Sequence, residues 1–230
     1  MVDGVAWLIF IRSQSSRFPN KCYAPLHGKT IYEHLAYRSQ ELGIDPRAIY
    51  LCTSDSIYDR PLITMANSFC HSILVGPEKY PIVRITENWG KLIDFRYIVR
   101  ICGDSPLYPF RLVQRAIETY DRFRPSAITN TRLRNFPAGM SIEVYNRAAL
   151  KRYLEQNSQE KFREHMCTIL KEESFLAQDT IDIRTKDSLD FFDHQRYTVD
   201  YREDIEKIET ILEAGSHRLY DRRLNDICLT

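Results

Sequence analysis

Val5-Ala6-Trp7-Leu8-Ile9-Phe10-Ile11 runs straight into Arg12-Ser13-Gln14-Ser15-Ser16-Arg17-Phe18-Pro19-Asn20-Lys21, and this junction decides the fold. The first seven residues are apolar without a break and rich in β-branched and aromatic side chains, which suits a strand buried on both faces. Such strands belong to parallel sheets covered by helices on either side. The polar stretch that follows is then a loop at the strand's carboxyl end.

Working outward, strand and helix alternate. Thr30 to Leu42 places Ile31, Leu35 and Leu42 at helical spacing, and Gly43 is a natural stop. Ala48 to Thr53 reads as a second strand; Ser54 to Ser56 can cap a helix carrying Leu62, Ile63, Ala66 and Phe69. Strands are expected again at Ser72 to Val75 and at Tyr97 to Cys102, the latter closed by Gly103-Asp104-Ser105-Pro106. The next helix uses Leu112, Val113, Ala116, Ile117 and Tyr120 as its inner face. The later half predicts a strand near Ser141 to Tyr145, helices at Arg147 to Glu155 and Glu160 to Lys171, a strand at Tyr197 to Val199 and a helix from Glu203 to Ala214. This rhythm implies βαβ units, a mostly parallel α/β sheet and ligands bound beyond the carboxyl ends of its strands. Residues 1–215 fit one domain, with 216–230 a basic, weakly apolar tail.

Composition narrows the partners. With 32 Lys and Arg against 31 Asp and Glu, the net charge of +1 gives no global attraction to nucleic acid or an anionic membrane. Six cysteines stand without a CxxC pair, as expected of free thiols in a reducing compartment. The apolar run at the start is too short to span a bilayer and lacks the features of a secretory signal, so a cytoplasmic protein is expected.

Three features can carry chemistry. Arg12, Arg17, Lys21 and Lys29 fall within eighteen residues, interleaved with Ser15 and Ser16. Cations, hydroxyls and loop amides together suit a triphosphate, although a solvated basic loop has the same composition. There is no Walker loop and no GxGxxG. Asp104, at the end of a strand, can hold magnesium with phosphate oxygens and water, yet Gly-Asp-Ser-Pro is also a plain turn. Asp200, in Arg196-Tyr197-Thr198-Val199-Asp200, can be a second metal ligand, or the N-cap of the following helix with Glu203 completing a capping box. Together they suggest phosphate-group chemistry, where catalysis is mostly positioning and charge neutralisation.

The order of these motifs resembles the cytidylyltransferase family, which includes CMP-sialic acid and CMP-Kdo synthetases and, most similar here, the spore-coat SpsF-like branch. Ile11 to Lys21 resembles its ARxxSxRxPxK opening, and His27-Gly28-Lys29 with Glu33-His34 its GK…EH segment. Val99 to Leu107 resembles VRxxGDxPL. Thr129-Asn130, Arg134 and Phe136 to Val144 are similar to TN…R.FP.G…EV, Arg163-Glu164-His165 to REH, and Tyr197 to Asp200 to WTVD.

The resemblance implies a Rossmann-like nucleotidyltransferase fold, often dimeric, that transfers CMP from CTP to a small acidic acceptor with magnesium, in polysaccharide biosynthesis. Carried over by position, Arg12, Ser15, Ser16, Arg17 and Lys21 bind the triphosphate, Arg84 and Arg100 line the nucleotide pocket, and Asp104 and Asp200 hold Mg2+. Arg12, Lys21, Asp104 and Asp200 form the catalytic set. Arg134, Arg163 and His165 are the acceptor-side candidates; a surface ion pair is the alternative for the arginines, and a packed helix position for His165. Gln14 and Asn20 stand where the family usually has glycine, and Gly76 to Leu92 matches it poorly. A phosphonate or polyol phosphate as acceptor, UTP as donor, or nucleotide binding without turnover stay open.

Overall fold

In the computed structural model, residues 4–133, 136–157, 166–171, 174–183 and 196–213 are described. Val5–Phe10 forms β1, whose alternate side chains divide between two cores, Val5, Trp7 and Ile9 to one and Ala6 and Leu8 to the other. That two-residue alternation, with both faces apolar, is what the unbroken run encodes. Parallel neighbours flank β1: β2 (Ile49–Ser54) on one side and β4 (Tyr97–Cys102) on the other, with β3 (Ser72–Gly76) beyond β2. Past β4 lie β6 (Glu143–Asn146), antiparallel to it, then β5 (Ala127–Thr129) and β7 (Thr180–Asp182). The order is β3-β2-β1-β4-β6-β5-β7, a mixed sheet that is parallel around the site.

Helices cover both faces. They are α1 (Ile31–Glu41), α2 (Arg60–Ser68), α3 (Val83–Thr86), α4 (Phe110–Tyr120), α5 (Arg147–Gln156), α6 (Phe175–Gln178) and α7 (Glu203–Glu213). One core gathers Tyr32 and Leu35 of α1, Leu112 and Val113 of α4 and Ile208 of α7; the other gathers Ile85, Leu150 and Leu176. Thr30 caps α1 with a full capping box, its hydroxyl accepting from Glu33 N while Glu33 reaches back. No helix among the described residues is long and apolar enough to cross a membrane.

The chain leaves β1 for β2 and β3 on one side and returns to β4 on the other, so β1 and β4 flank the point where strand order reverses. The crevice at their carboxyl ends is where such sheets bind ligands. The loops that bound it are those of Arg12 to Lys21 and Gly103-Asp104. They pass so close that a Cβ on Gly103 would lie 2.3 Å from Ile11 Cβ and 2.7 Å from the Phe10 carbonyl. Only glycine fits there.

Two expectations are corrected. Tyr197 to Val199 is extended but forms no strand, because its amides bond to loop carbonyls, Tyr197 N to Ala138 O at 2.8 Å and Val199 N to Asp104 O at 2.8 Å. Of the helix expected at Glu160 to Lys171, residues 160–165 lie outside the described residues, and Met166–Lys171 is a 3-10 helix. The expected tail, 216–230, also lies outside them.

Candidate active site

The β1 loop is held from beneath by a buried carboxylate. Asp59 is 0% exposed, and its Oδ1 accepts from Ser13 N at 2.7 Å and Ser13 Oγ at 2.5 Å. Its Oδ2 accepts from Thr53 Oγ1 at 2.8 Å, from Ser54 N at 3.0 Å and from Ser54 Oγ. Burial raises the Asp59 pKa, but this set of donors outweighs it and holds the carboxyl below the usual carboxylate value. Asn20, where the family usually has glycine, takes the left-handed conformation with φ 58°. Asparagine is among the residues that tolerate it best, so the turn into the short 3-10 helix Lys21–Tyr23 is made without glycine.

That turn aims Lys21 at two acids. Its Nζ lies 3.4 Å from Asp104 Oδ2 and 3.6 Å from Asp200 Oδ1, and donates to Val199 O at 2.8 Å. Two arginines close on Asp200 from other sides, Arg17 NH2 at 2.7 Å from Oδ1 and Arg196 NH2 at 2.6 Å from Oδ2. Asp200 Oδ1, although buried and surrounded by positive charge, makes no aligned hydrogen bond among the described residues. Asp200 does not cap α7. That helix begins at Glu203, and the carboxylate of Asp204 instead accepts from Asp200 N and Tyr201 N, at 2.9 Å each.

The crevice itself has two compartments. A cavity of 620 Å3 between the ends of β1 and β3 is lined by Arg12, Glu78, Lys79, Arg84, Arg100 and Asp104, among others. A second, of 270 Å3, follows the loop past Ser15, Ser16, Arg17 and Lys21 to Gly103 and Asp104. Arg12 and Glu78 pair across the first at 2.7 Å, both about half exposed, so the contact is weak and an arriving anion can displace it. Arg84 is 2% exposed and donates to the carbonyls of Cys52 at 3.1 Å and Pro77 at 3.4 Å; burial pulls its pKa down, and its Nε has no hydrogen bond among the described residues.

A cationic loop facing two convergent acids across an open crevice is a nucleotide-handling arrangement, and comparison gives it a family. A family model described as cytidylyltransferase matches residues 6–224. The chain belongs to the cytidylyltransferase family. That family is one of CTP-dependent nucleotidyltransferases.

Among solved structures, a cytidylyltransferase from Leptospira borgpetersenii serovar Hardjo-bovis superposes with a TM-score of 0.80 at 22% identity, covering 92% of this chain and 87% of that one. A CMP:2-keto-3-deoxy-manno-octonic acid synthetase solved with CTP gives 0.61 at 15% identity, covering 92% and 99%. Both establish likeness of fold. An uncharacterised protein of Methanocaldococcus jannaschii is 29% identical over 161 residues, and the match spans 69% of this chain but only 63% of that protein.

In this cytidylyltransferase, then, Arg12, Ser15, Ser16, Arg17, Lys21, Arg84, Arg100 and Asp104 all line the one crevice, and Asp200 joins them through Arg17 and Lys21. Arg134, Arg163 and His165 lie outside the described residues. The sequence reading missed Asp59, Glu143 and the part of Arg196. The signal for Asp59 was weak: an acid just ahead of Pro61, with its partners at the end of the preceding strand and at Ser13, 46 residues away. Glu143 was quoted only as part of a motif; its buried contact to Arg100 depends on β4 pairing with β6.

Proposed function

We propose that this enzyme transfers CMP from CTP to a small acidic acceptor, a sugar acid, and releases pyrophosphate. The observation that carries the reading is the convergence of Asp104 and Asp200 on Lys21, opposite the loop that bears Arg12 and Arg17.

The donor set fits a magnesium ion. Asp104 and Asp200 are two carboxylates gathered around a single ammonium, and Asp200 Oδ1 is a buried oxygen whose contacts to Arg17 and Lys21 are ion pairs without an aligned hydrogen bond. Mg2+ is usually held by one or two carboxylates plus substrate phosphate oxygens, which is what this pair supplies. An ion held there by Asp104 and Asp200 would supply charge neutralisation for the phosphates and would lower the pKa of the acceptor hydroxyl.

The chain's own residues supply the remainder. Arg12, Arg17 and Lys21, with the hydroxyls of Ser15 and Ser16, bind the β- and γ-phosphates and stabilise the charge of the departing pyrophosphate. Arg84 and Arg100 orient the nucleotide from the floor of the larger cavity. The acceptor oxygen forms a bond to the α-phosphorus in line with the breaking bond to the β-phosphate oxygen, and its proton passes to solvent. Arg196, 49% exposed beside Asp200, adds a cation where an acidic acceptor approaches, supplementing Arg134 and Arg163. The enzyme acts as a homodimer in polysaccharide biosynthesis and in the cytoplasm, where the free thiols of Cys22, Cys52, Cys70 and Cys102 stay reduced.

The test follows pyrophosphate release from CTP, UTP, ATP and GTP against sialic-acid- and Kdo-type sugar acids, phosphonates and phosphorylated polyols. CTP with a sugar acid gives turnover, and Asp200→Ala lowers it by at least about a hundredfold while the fold survives. Turnover confined to phosphorylated polyols or phosphonates overturns the acceptor assignment; CTP binding without turnover on any acceptor overturns the transfer.

A further inference from the structure

Arg100 and Glu143 sit side by side on β4 and β6, one step along from the Val99↔Val144 pair. Arg100 NH1 donates to Glu143 Oε1 at 2.5 Å, and the other oxygen of Glu143 accepts from Tyr145 OH at 2.9 Å. Glu143 is 2% exposed and Tyr145 is fully buried. The guanidinium carbon also stands 5.7 Å from the centre of the Phe10 ring, within cation–π range. The group is thus held by a carboxylate and an aromatic ring together, while its side chain stays 19% exposed. Its accessible part lines both compartments of the crevice, along with Phe10, Ile11, Arg12 and Asp104.

Stability does not account for this pair. Desolvating two charges costs about as much as their attraction returns, and an apolar pair would join β4 to β6 equally well. What the pair does provide is a fixed guanidinium at the junction of the compartments. If the base lies in the larger and the β- and γ-phosphates in the smaller, the ribose and α-phosphate cross that junction. A guanidinium left to swing there would bind the phosphate in many geometries, few of them suited to in-line exchange.

We propose that Glu143 is a positioning residue of the transfer reaction: without touching substrate, it sets Arg100 against the α-phosphate, and Tyr145 in turn holds Glu143. The inference rests on the crevice being the CTP site.

A double-mutant cycle tests it, with Glu143→Gln, Arg100→Gln and the double variant compared for kcat, KM and calorimetric binding of CTP without acceptor. Glu143→Gln lowers kcat about 10- to 100-fold, the scale of a misplaced group, while the Kd for CTP moves less than about threefold. In the Arg100→Gln background Glu143→Gln adds nothing beyond about twofold, because its effect runs through a group already gone. Tyr145→Phe keeps the buried ring and serves if Glu143→Gln does not fold: it gives a smaller loss in kcat that also vanishes without Arg100. Losses that multiply in the double variant, or a Glu143→Gln enzyme with wild-type kcat, overturn the inference. If the wild-type protein binds no CTP, the reading of the crevice fails first, which the calorimetry shows independently.

Discussion

Replacing Asp59 by alanine detaches the catalytic loop from the sheet. The carboxylate accepts five hydrogen bonds, from the amides of Ser13 and Ser54 and the hydroxyls of Ser13, Thr53 and Ser54. The hydroxyls can turn to other acceptors, but the two amides are buried and have no alternative. Each unsatisfied amide costs about 1 to 3 kcal/mol, so the pair costs about 2 to 6 kcal/mol, offset in part by relief of a buried charge. A loss of about 3 kcal/mol is expected, read from urea unfolding followed by tryptophan fluorescence with linear extrapolation. Asp59→Asn keeps the shape and one acceptor but turns an NH2 group on the donors, so it recovers less than half. Function falls with stability, since Ser13 anchors the segment bearing Arg17 and Lys21, and CTP binds more weakly even well below the unfolding temperature. Linkage adds a signature. The folded pKa of Asp59 lies below its ordinary value of 3.8, so the carboxylate's contribution is complete above that value and is lost as pH falls through the lower one. The alanine variant therefore loses less stability than the parent on acidification. A cost under about 1 kcal/mol for Asp59→Ala, with CTP affinity intact, would refute the claim that this residue anchors the loop.

Calorimetry with Mg2+ alone is expected to show little binding, because Lys21, Arg17 and Arg196 already surround the two acids, and binding should appear once CTP draws the loop cations onto its phosphates; tight binding of Mg2+ to the free protein would contradict this. His71 offers a pH test away from the site: buried at 4% exposure, with Nδ1 2.6 Å from Tyr32 OH, its pKa is pushed down to about 4 by burial from 6.5. Its neutral form contributes stability that is full above 6.5 and lost as pH falls toward about 4, roughly 2 kcal/mol between about pH 7 and about pH 5; His71→Phe removes that slope in urea unfolding, and an unchanged slope would refute the assignment.

Much of the fold could be read from the chain because its central strands are buried on both sides. β1 shows as an unbroken apolar run, β4 as one interrupted only by Arg100, and α4 shows its inner face at helical spacing. Beyond β6, whose strand was expected near Ser141 to Tyr145, the far side carried no such signal. β5 and β7 are three residues each, too short for any period to emerge, and they become strands only by pairing, with β6 and with each other. Tyr197 to Val199 failed in the opposite direction. Its residues prefer an extended backbone and adopt one, but the neighbouring acceptors are loop carbonyls, and local propensity cannot say what lies alongside.

The site was legible where chemistry and position coincide, at cations and acids on the carboxyl ends of strands, and illegible where a residue acts through a neighbour. Asp200 shows the difference. Locally, Asp200 followed by Glu203 is a helix cap, and the spacing does not say that the carboxylate of Asp204 takes the nearby amides instead. In the fold, Asp204 accepts the amides of Asp200 and Tyr201, and α7 begins without help from the Asp200 side chain. That leaves both carboxylate oxygens to Arg17, Lys21 and Arg196, of which Lys21, the least exposed, most needs an anion beside it. The substitution of one acid for another at the helix start is thus what makes a metal-ligating role for Asp200 physically available, and no pattern within the helix alone could have revealed it.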